Sequence, residues 1–217
     1  MSKKIGCHII RLKEIDSTNS YLKDKSELLQ RNGLVVIAEK QVSGRGRAGR
    51  KFTSVIGNNV TFSVVLHPNL PLEEIQIFAL LAGVAVARGL ENYVKNIRLK
   101  WPNDVLVNEK KICGILLETI NIPDHSFPVL IMGIGLNTKG CPNDYPEELQ
   151  NIVTTIESEM SPISDISSKT ETAPALNNES IFQQLLLELD SCLEKFSLVS
   201  ANTQNSDKTT SGRSSLL

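Results

Sequence analysis

Four strand-like runs, at residues 97–101, 105–107, 111–119 and 129–136, follow one another with no helical stretch between them. Parallel neighbours need a crossover of a dozen or more residues, usually a helix, whereas antiparallel neighbours need only a turn. The succession points to an α+β fold built on a mixed, mostly antiparallel sheet backed by helices, rather than a doubly wound one. Asn108-Glu109-Lys110 supplies a hairpin turn between the middle pair.

The rest of the chain supplies the helices and the other strands. Ile9, Ile10, Leu12 and Ile15 read as a first strand, and Asp16-Ser17-Thr18-Asn19 offers side-chain oxygens to cap a helix over about 18–31. Tyr21, Leu22, Leu28 and Leu29 form its apolar stripe, and Gly33 stops it. Strands are expected at 34–39 and 59–67. Pro71, Glu73 and Glu74 open a helix to about residue 93 that is apolar on nearly all sides, as a layer pressed on a sheet would be. A last helix over 181–196 carries Phe182, Leu185, Leu186, Leu189, Leu193 and Phe196 on one stripe. With 217 residues, 41% of them hydrophobic, one substantial core is expected. The expected organisation is a polar leader at 1–8, one domain over 9–197 with a flexible insertion at 157–180, and a disordered tail at 198–217.

Between the second and third strands lies Gly44-Arg45-Gly46-Arg47-Ala48-Gly49-Arg50-Lys51, three glycines and four cations without an acid. Glycine lets the backbone approach a ligand closely, and arginine presents a fork of donors to carboxylate or phosphate. The loop taken alone fits an anion grip and a nucleic-acid-binding patch equally well. The whole chain has 23 Lys+Arg against 24 Asp+Glu, a net charge of −1, so no global field would hold a polyanion. Cys7, Cys113, Cys141 and Cys192 are far apart, without metal-ligand or disulfide spacing. Neither a membrane span nor a secretory signal is visible, and a cytoplasmic location follows by default.

Three further stretches sit at loops or strand ends: Asp16-Ser17-Thr18-Asn19, Lys100-Trp101-Pro102-Asn103-Asp104, and Lys111-Ile112-Cys113-Gly114-Ile115-Leu116-Leu117-Glu118 followed by Gly133-Ile134-Gly135-Leu136-Asn137. With the glycine-arginine loop, in this order, they resemble the catalytic domain of biotin protein ligases. The loop pattern G-R-G-R-x-G-R-x-W reads here Gly44 to Phe52, K-W-P-N-D is intact at 100–104, and K-x-x-G-I-L at 111–116. The likeness covers residues 9–137 closely, and 181–196 as the following helix.

The resemblance implies the biotin/lipoate ligase fold, related to class II aminoacyl-tRNA synthetases. It implies an ATP-dependent enzyme that joins biotin to AMP and then transfers it to a lysine of a biotin carboxyl carrier domain, with ATP and biotin as substrates and Mg²⁺ as cofactor. Ser17, Thr18, Asn19, Gln41, Gly44, Arg45, Lys111 and Gly114 match biotin-binding positions. The apolar slot for the rest of biotin is assigned to Trp101, Ile115 and Leu117. Arg45, Arg47, Arg50, Phe52, Asn103, Lys111 and Asn137 match positions around ATP and the adenylate. Lys111, Arg47 and Asp104 are the implied catalytic residues, and Asp104 the implied Mg²⁺ ligand. No nucleic acid or membrane partner is expected, and a homodimer is left open.

Three departures stand out. Ala48 replaces a further arginine of some members, Phe52 replaces tryptophan, and neither an N-terminal DNA-binding module nor a C-terminal β-barrel domain is recognised. The competing readings are a lipoate or octanoyl transferase on the same fold and a catalytically poor biotin- or adenylate-binding fragment.

Overall fold

The computed structural model describes residues 4–55, 57–123, 125–160 and 176–210. Seven strands, β1 (Ile9–Ile15), β2 (Val35–Gln41), β3 (Asn59–Leu66), β4 (Ile97–Lys100), β5 (Asp104–Val107), β6 (Lys110–Ile120) and β7 (Val129–Asn137), form one sheet in the order β1-β2-β3-β7-β6-β5-β4. Among the strand pairs of the described residues only β1–β2 is parallel; each of the others is antiparallel. The expected mixed, mostly antiparallel α+β sheet is therefore present. Asn108 and Glu109, at φ 47° and 66°, make the two-residue hairpin between β5 and β6, the positive-φ geometry that matches the twist of paired strands.

Strand alternation divides the sheet into two unlike faces. Val60, Phe62 and Val64 of β3 and Leu130, Met132, Ile134 and Leu136 of β7 enter the main core, beneath α3 (Ile77–Leu90) and α6 (Asn178–Thr210). Phe182 of α6 is fully buried and meets Phe62 edge-on, ring centroids 5.2 Å apart. Each such side chain contributes roughly 1.5–3 kcal/mol by leaving water. Gly89 lets the two helices close together, since a Cβ there would stand 2.9 Å from Leu185 Cδ2.

On the opposite face, α1 (Thr18–Lys23) and α2 (Ser26–Leu29) bring Leu22 and Leu29 onto Val36, Val65, Val129 and Ile131. They cover one end only. The intervening positions of the central strands, Thr61 and Ser63 of β3, Gly133 and Gly135 of β7 and Gly114 of β6, continue this face beyond the helices with small side chains or none. That uncovered stretch is the floor of the candidate site.

Several boundaries differ from the sequence expectation. The first helix is broken: Asp24 and Lys25 close α1 through backbone bonds to Ser20 and Leu22, and Lys25 (φ −127°, ψ 77°) leaves helical geometry before α2 starts. Asp and Ser on either side of Lys25 favour caps over helix interiors. The third helix is shorter than 71–93, because Leu72–Glu74 is a 3₁₀ turn and the Leu90 carbonyl accepts from both Tyr93 and Val94. α6 starts at Asn178 and runs to Thr210, where the sequence reading ends it near Phe196. No Gly or Pro interrupts the chain between those residues.

After the short α4 (Glu147–Gln150), the region expected to start a flexible insertion at 157 begins instead with α5 (Ile156–Glu159). The Thr155 hydroxyl caps it, Ile156 is fully buried, and Glu157 accepts from the Gly140 amide. The rest of that expected insertion at 161–175, and the expected tail at 211–217, lie outside the described residues.

Candidate functional site

A cavity of about 420 Å³ opens over the glycine floor, a volume within the range of small-molecule sites. One end is neutral and polar. Ser17 caps α1 and thereby presents Thr18 and Asn19 toward the sheet, where all three are buried. Gln41, at the end of β2, accepts through Oε1 from the Thr18 amide at 2.8 Å. The Thr18 hydroxyl is 2.6 Å from Ser63 Oγ, which donates to Asn19 Oδ1 at 2.5 Å, and Asn19 Nδ2 donates to Glu118 at 2.9 Å.

The other end is cationic. Lys111 Nζ lies 2.8 Å from Asp104 Oδ1, at the bulge where β5 and β6 shift register. That buried oxygen has no aligned hydrogen-bond donor, so the contact is one of charge. The amine rests on Gly114, where a Cβ would be 3.0 Å from Nζ. Lys111 is further fixed through its backbone, donating to Ile152 and accepting from Thr154, which stands residues 149–153 up as a wall of the cavity.

The glycine-arginine stretch is a tight hairpin across the mouth. Phe52 N donates to Gly44 O at 2.8 Å, Gly46 N to Arg50 O at 2.7 Å, and Arg45 pairs with Lys51. Ala48 (φ 53°) and Gly49 (φ 74°) make its tip. Arg45 reaches Glu118 at 3.4 Å, while Arg47 makes only a long contact to Asn103 Oδ1 at 3.4 Å. Among the described residues neither Arg47 nor Arg50 has a carboxylate partner, so their charge is available to an anion.

Local environments set the ionisable groups. Burial pushes Glu118 up, but hydrogen bonds from Lys23 and Asn19 and the charges of Lys23 and Arg45 outweigh it and hold the carboxyl below its ordinary range. Burial pushes the Cys113 thiol up to about 12, so it is protonated and not a nucleophile. Tyr145, raised by burial, accepts at its hydroxyl from Asn59 at 3.3 Å.

Ser17, Thr18, Asn19 and Gln41 border the cavity, as do Arg45, Arg47, Arg50 and Phe52, and Asn103, Asp104, Lys111, Gly114 and Asn137. Gly44 does not border it. A Cβ there would meet the Phe52 carbonyl at 2.4 Å, so its part is to let the hairpin strands close. Trp101 and Leu117 do not border it either: Trp101 is 65% exposed, and Leu117 packs against the main core beneath the helices. Ile115 borders it, but its side chain enters that same core, Cδ1 lying 3.8 Å from where a Cβ on Gly83 of α3 would stand, so it does not line the slot. Asn137 is 4% exposed, accepts from Asn59 and donates to the Thr154 carbonyl, so its side chain braces the wall.

Sequence reasoning gave no role to Ser63, Lys23, Glu118 or the 149–153 wall. Glu118 closes the K-x-x-G-I-L stretch and was visible there. Ser63 and the wall had no motif, since strand register brings in the one and backbone bonds to Lys111 the other.

The sequence matches the Biotin/lipoate A/B protein ligase family over residues 12–137. It is 41% identical over 156 residues to the bifunctional ligase/repressor BirA of Bacillus subtilis, an alignment covering 70% of this chain and 47% of that protein. The chain thus spans about half the length of that relative. The fold superposes on the biotin protein ligase of Aquifex aeolicus in complex with biotin and ATP, with a TM-score of 0.69, 30% identity, and coverage of 88% of this chain and 72% of that one. The biotin protein ligase of Leishmania major in complex with biotinyl-5-AMP gives a TM-score of 0.66 at 25% identity, covering 87% and 76%. The fold thus has its counterparts in known proteins, and the chain belongs to the biotin/lipoate A/B protein ligase family.

Proposed function

We propose that the chain is an ATP-dependent biotin protein ligase domain, which forms biotinyl-5′-AMP and pyrophosphate and then passes the biotinyl group to a lysine of a biotin carboxyl carrier domain. One observation carries the reading: a single glycine-floored cavity joins a neutral cluster of donors and acceptors to a lysine flanked by arginines.

The neutral end suits the cyclic urea of biotin, which offers N–H donors and a carbonyl acceptor and no charge. Ser17, Thr18, Asn19 and Gln41 surround it, and the backbone at Arg45 and Gly114 flanks the acyl chain, with Leu116, on the cavity face of β6, beside it. The carboxylate then points to Lys111. In the first step a carboxylate oxygen attacks the α-phosphorus of ATP and pyrophosphate leaves. Two anions about 4 Å apart repel by about 4 kcal/mol at an effective dielectric near 20, and the Lys111 ammonium between them offsets this. Asp104 holds that ammonium in place.

Arg47 and Arg50 take the triphosphate, with Arg45 and Phe52 over the adenylate and Asn103 orienting Arg47. Asn137, through the wall it braces, shapes the adenine side. Mg²⁺ would be held by Asp104 together with phosphate oxygens and water, and would supply charge neutralisation. One carboxylate fits such an ion, which normally keeps several waters and binds through one or two carboxylates plus substrate phosphates.

In the second step the acceptor amine attacks the acyl carbon and AMP leaves. That amine must be neutral, against an ordinary pKa of about 10.4, and Asp104 is the carboxylate assigned to accept its hydrogen bond. The reaction is assigned to the cytoplasm, in keeping with four cysteines that are all free thiols. Among the described residues no helix is long and apolar enough to cross a membrane.

The test is biotin-dependent exchange of labelled pyrophosphate into ATP, followed by transfer of labelled biotin to a carrier domain. Exchange and transfer together support the proposal. Exchange without transfer restricts the chain to adenylation, and exchange with lipoate or octanoate but not with biotin rejects it.

A further inference from the structure

Glu118 has no place in the reading above, yet it anchors a directional chain of hydrogen bonds into the neutral end of the cavity. A carboxylate only accepts. Lys23 Nζ at 2.5 Å and Arg45 at 3.4 Å both face Oε1, and Oε2 accepts from Asn19 Nδ2 at 2.9 Å. The Asn19 amide is thereby fixed with its oxygen toward Ser63. That oxygen cannot donate, so the Ser63 proton is committed to it at 2.5 Å. The 2.6 Å contact between Ser63 and Thr18 then requires the Thr18 hydroxyl to be its donor. Thr18 has one proton, so none is left for Gln41 Oε1, 3.1 Å away, which accepts only the Thr18 backbone N–H. Through three side chains, an acid outside the cavity's lining leaves both Thr18 Oγ1 and Gln41 Oε1 as acceptors.

We propose that Glu118 is a positioning and specificity-determining residue, which sets the polarity of the chain Asn19–Ser63–Thr18 so that the cavity selects a ligand presenting N–H donors. The inference rests on the biotin reading, in which those donors are the ureido N–H groups. Replacing Glu118 by its isosteric amide reverses the chain. Lys23 and Arg45 demand an oxygen, so the introduced NH₂ must turn to Asn19, which flips; Ser63 then donates to Thr18 and Thr18 to Gln41. Each of the two acceptors loses a lone pair. Exchanging the partners, E118Q with N19D, restores an acceptor-only group facing Ser63 and hence the original direction.

The experiment measures biotin affinity by calorimetry, together with the KM for ATP in pyrophosphate exchange, for wild type, E118Q and E118Q/N19D. Thermal melts confirm that all three are folded. The expected result is a roughly tenfold weaker biotin affinity in E118Q, the size of one hydrogen bond, with a clearly smaller change in the KM for ATP, felt only through Arg45, and affinity regained in the double variant. E118Q within twofold of wild type overturns the proposal, as does a double variant no better than E118Q, and so does equal loss for biotin and ATP. Wild type that fails to bind biotin at all rejects the functional reading instead, and this inference with it.

Discussion

The ring of Phe52 lies directly on Gly135, so that a Cβ at residue 135 would stand 2.4 Å from Phe52 Cζ and 2.8 Å from two more ring carbons. The mouth of the cavity and its floor are in contact through one aromatic face and one bare backbone. Gly135→Ala must therefore displace the hairpin carrying Phe52 rather than the sheet, whose pairing with Thr61 and Gly114 holds β7 in place. A fall of at least tenfold in kcat/KM for ATP is expected with little change in melting temperature. A large loss of stability with unchanged kinetics would show that the contact belongs to the core instead.

Lys111 is the cation on which the first step depends. Lys111→Ala is expected to lower biotin-dependent pyrophosphate exchange by about 10²–10³-fold, the range for removing one preorganised electrostatic stabiliser. Biotin binding should weaken but stay measurable, because the neutral end is untouched. Exchange at the wild-type rate would remove Lys111 from the mechanism.

Glu118 gives the protein an acid limb. Its carboxyl is held below the ordinary glutamate value of about 4.3, so the stabilisation it gives is complete above that value. It is lost as pH falls through the lowered value, where Lys23 and Arg45 lose their counter-charge. Melting temperature measured from pH 7 downward should decline more steeply for wild type than for Glu118→Gln. Parallel curves would assign the acid limb to other groups.

The main core rests on α6. Phe182 is fully buried against Phe62, and Phe182→Ala is expected to cost about 3–5 kcal/mol. In a chain of this size that corresponds to a melting temperature lower by roughly 10 °C. A drop of only a degree or two in a thermal melt would mean that the α6 contact with the sheet is peripheral.

The parts legible in the sequence were those fixed by local pattern. Adjacent strands without helices gave the sheet, Asn108 and Glu109 the hairpin, and the stripe from Phe182 to Phe196 the helix that covers it. The cavity-lining motif residues were legible because loops and strand ends gather them. Asn19–Ser63–Thr18 was not, because Ser63 joins only through the register of β3 with its neighbours, which periodicity does not reveal. Trp101 and Leu117 were misassigned to the slot for a related reason: an apolar residue near a motif shows its chemistry but not which face of the sheet it occupies. The broken first helix depended on Lys25 leaving helical geometry, a choice between near-equal local conformations.

The position of β7 has a consequence for how the chain comes into being. Among the described residues it is the last strand in sequence, yet it lies in the middle of the sheet, between β3 and β6. On a ribosome, β1 to β3 and the β4–β6 meander are therefore made as two separate pieces, each with an unsatisfied strand edge, and no binding floor exists until residue 137 has emerged. Such long-range closure is slow and leaves edges open to wrong partners. Ligand affinity in a nascent chain should thus arise in one step, when β7 docks, rather than grow with length.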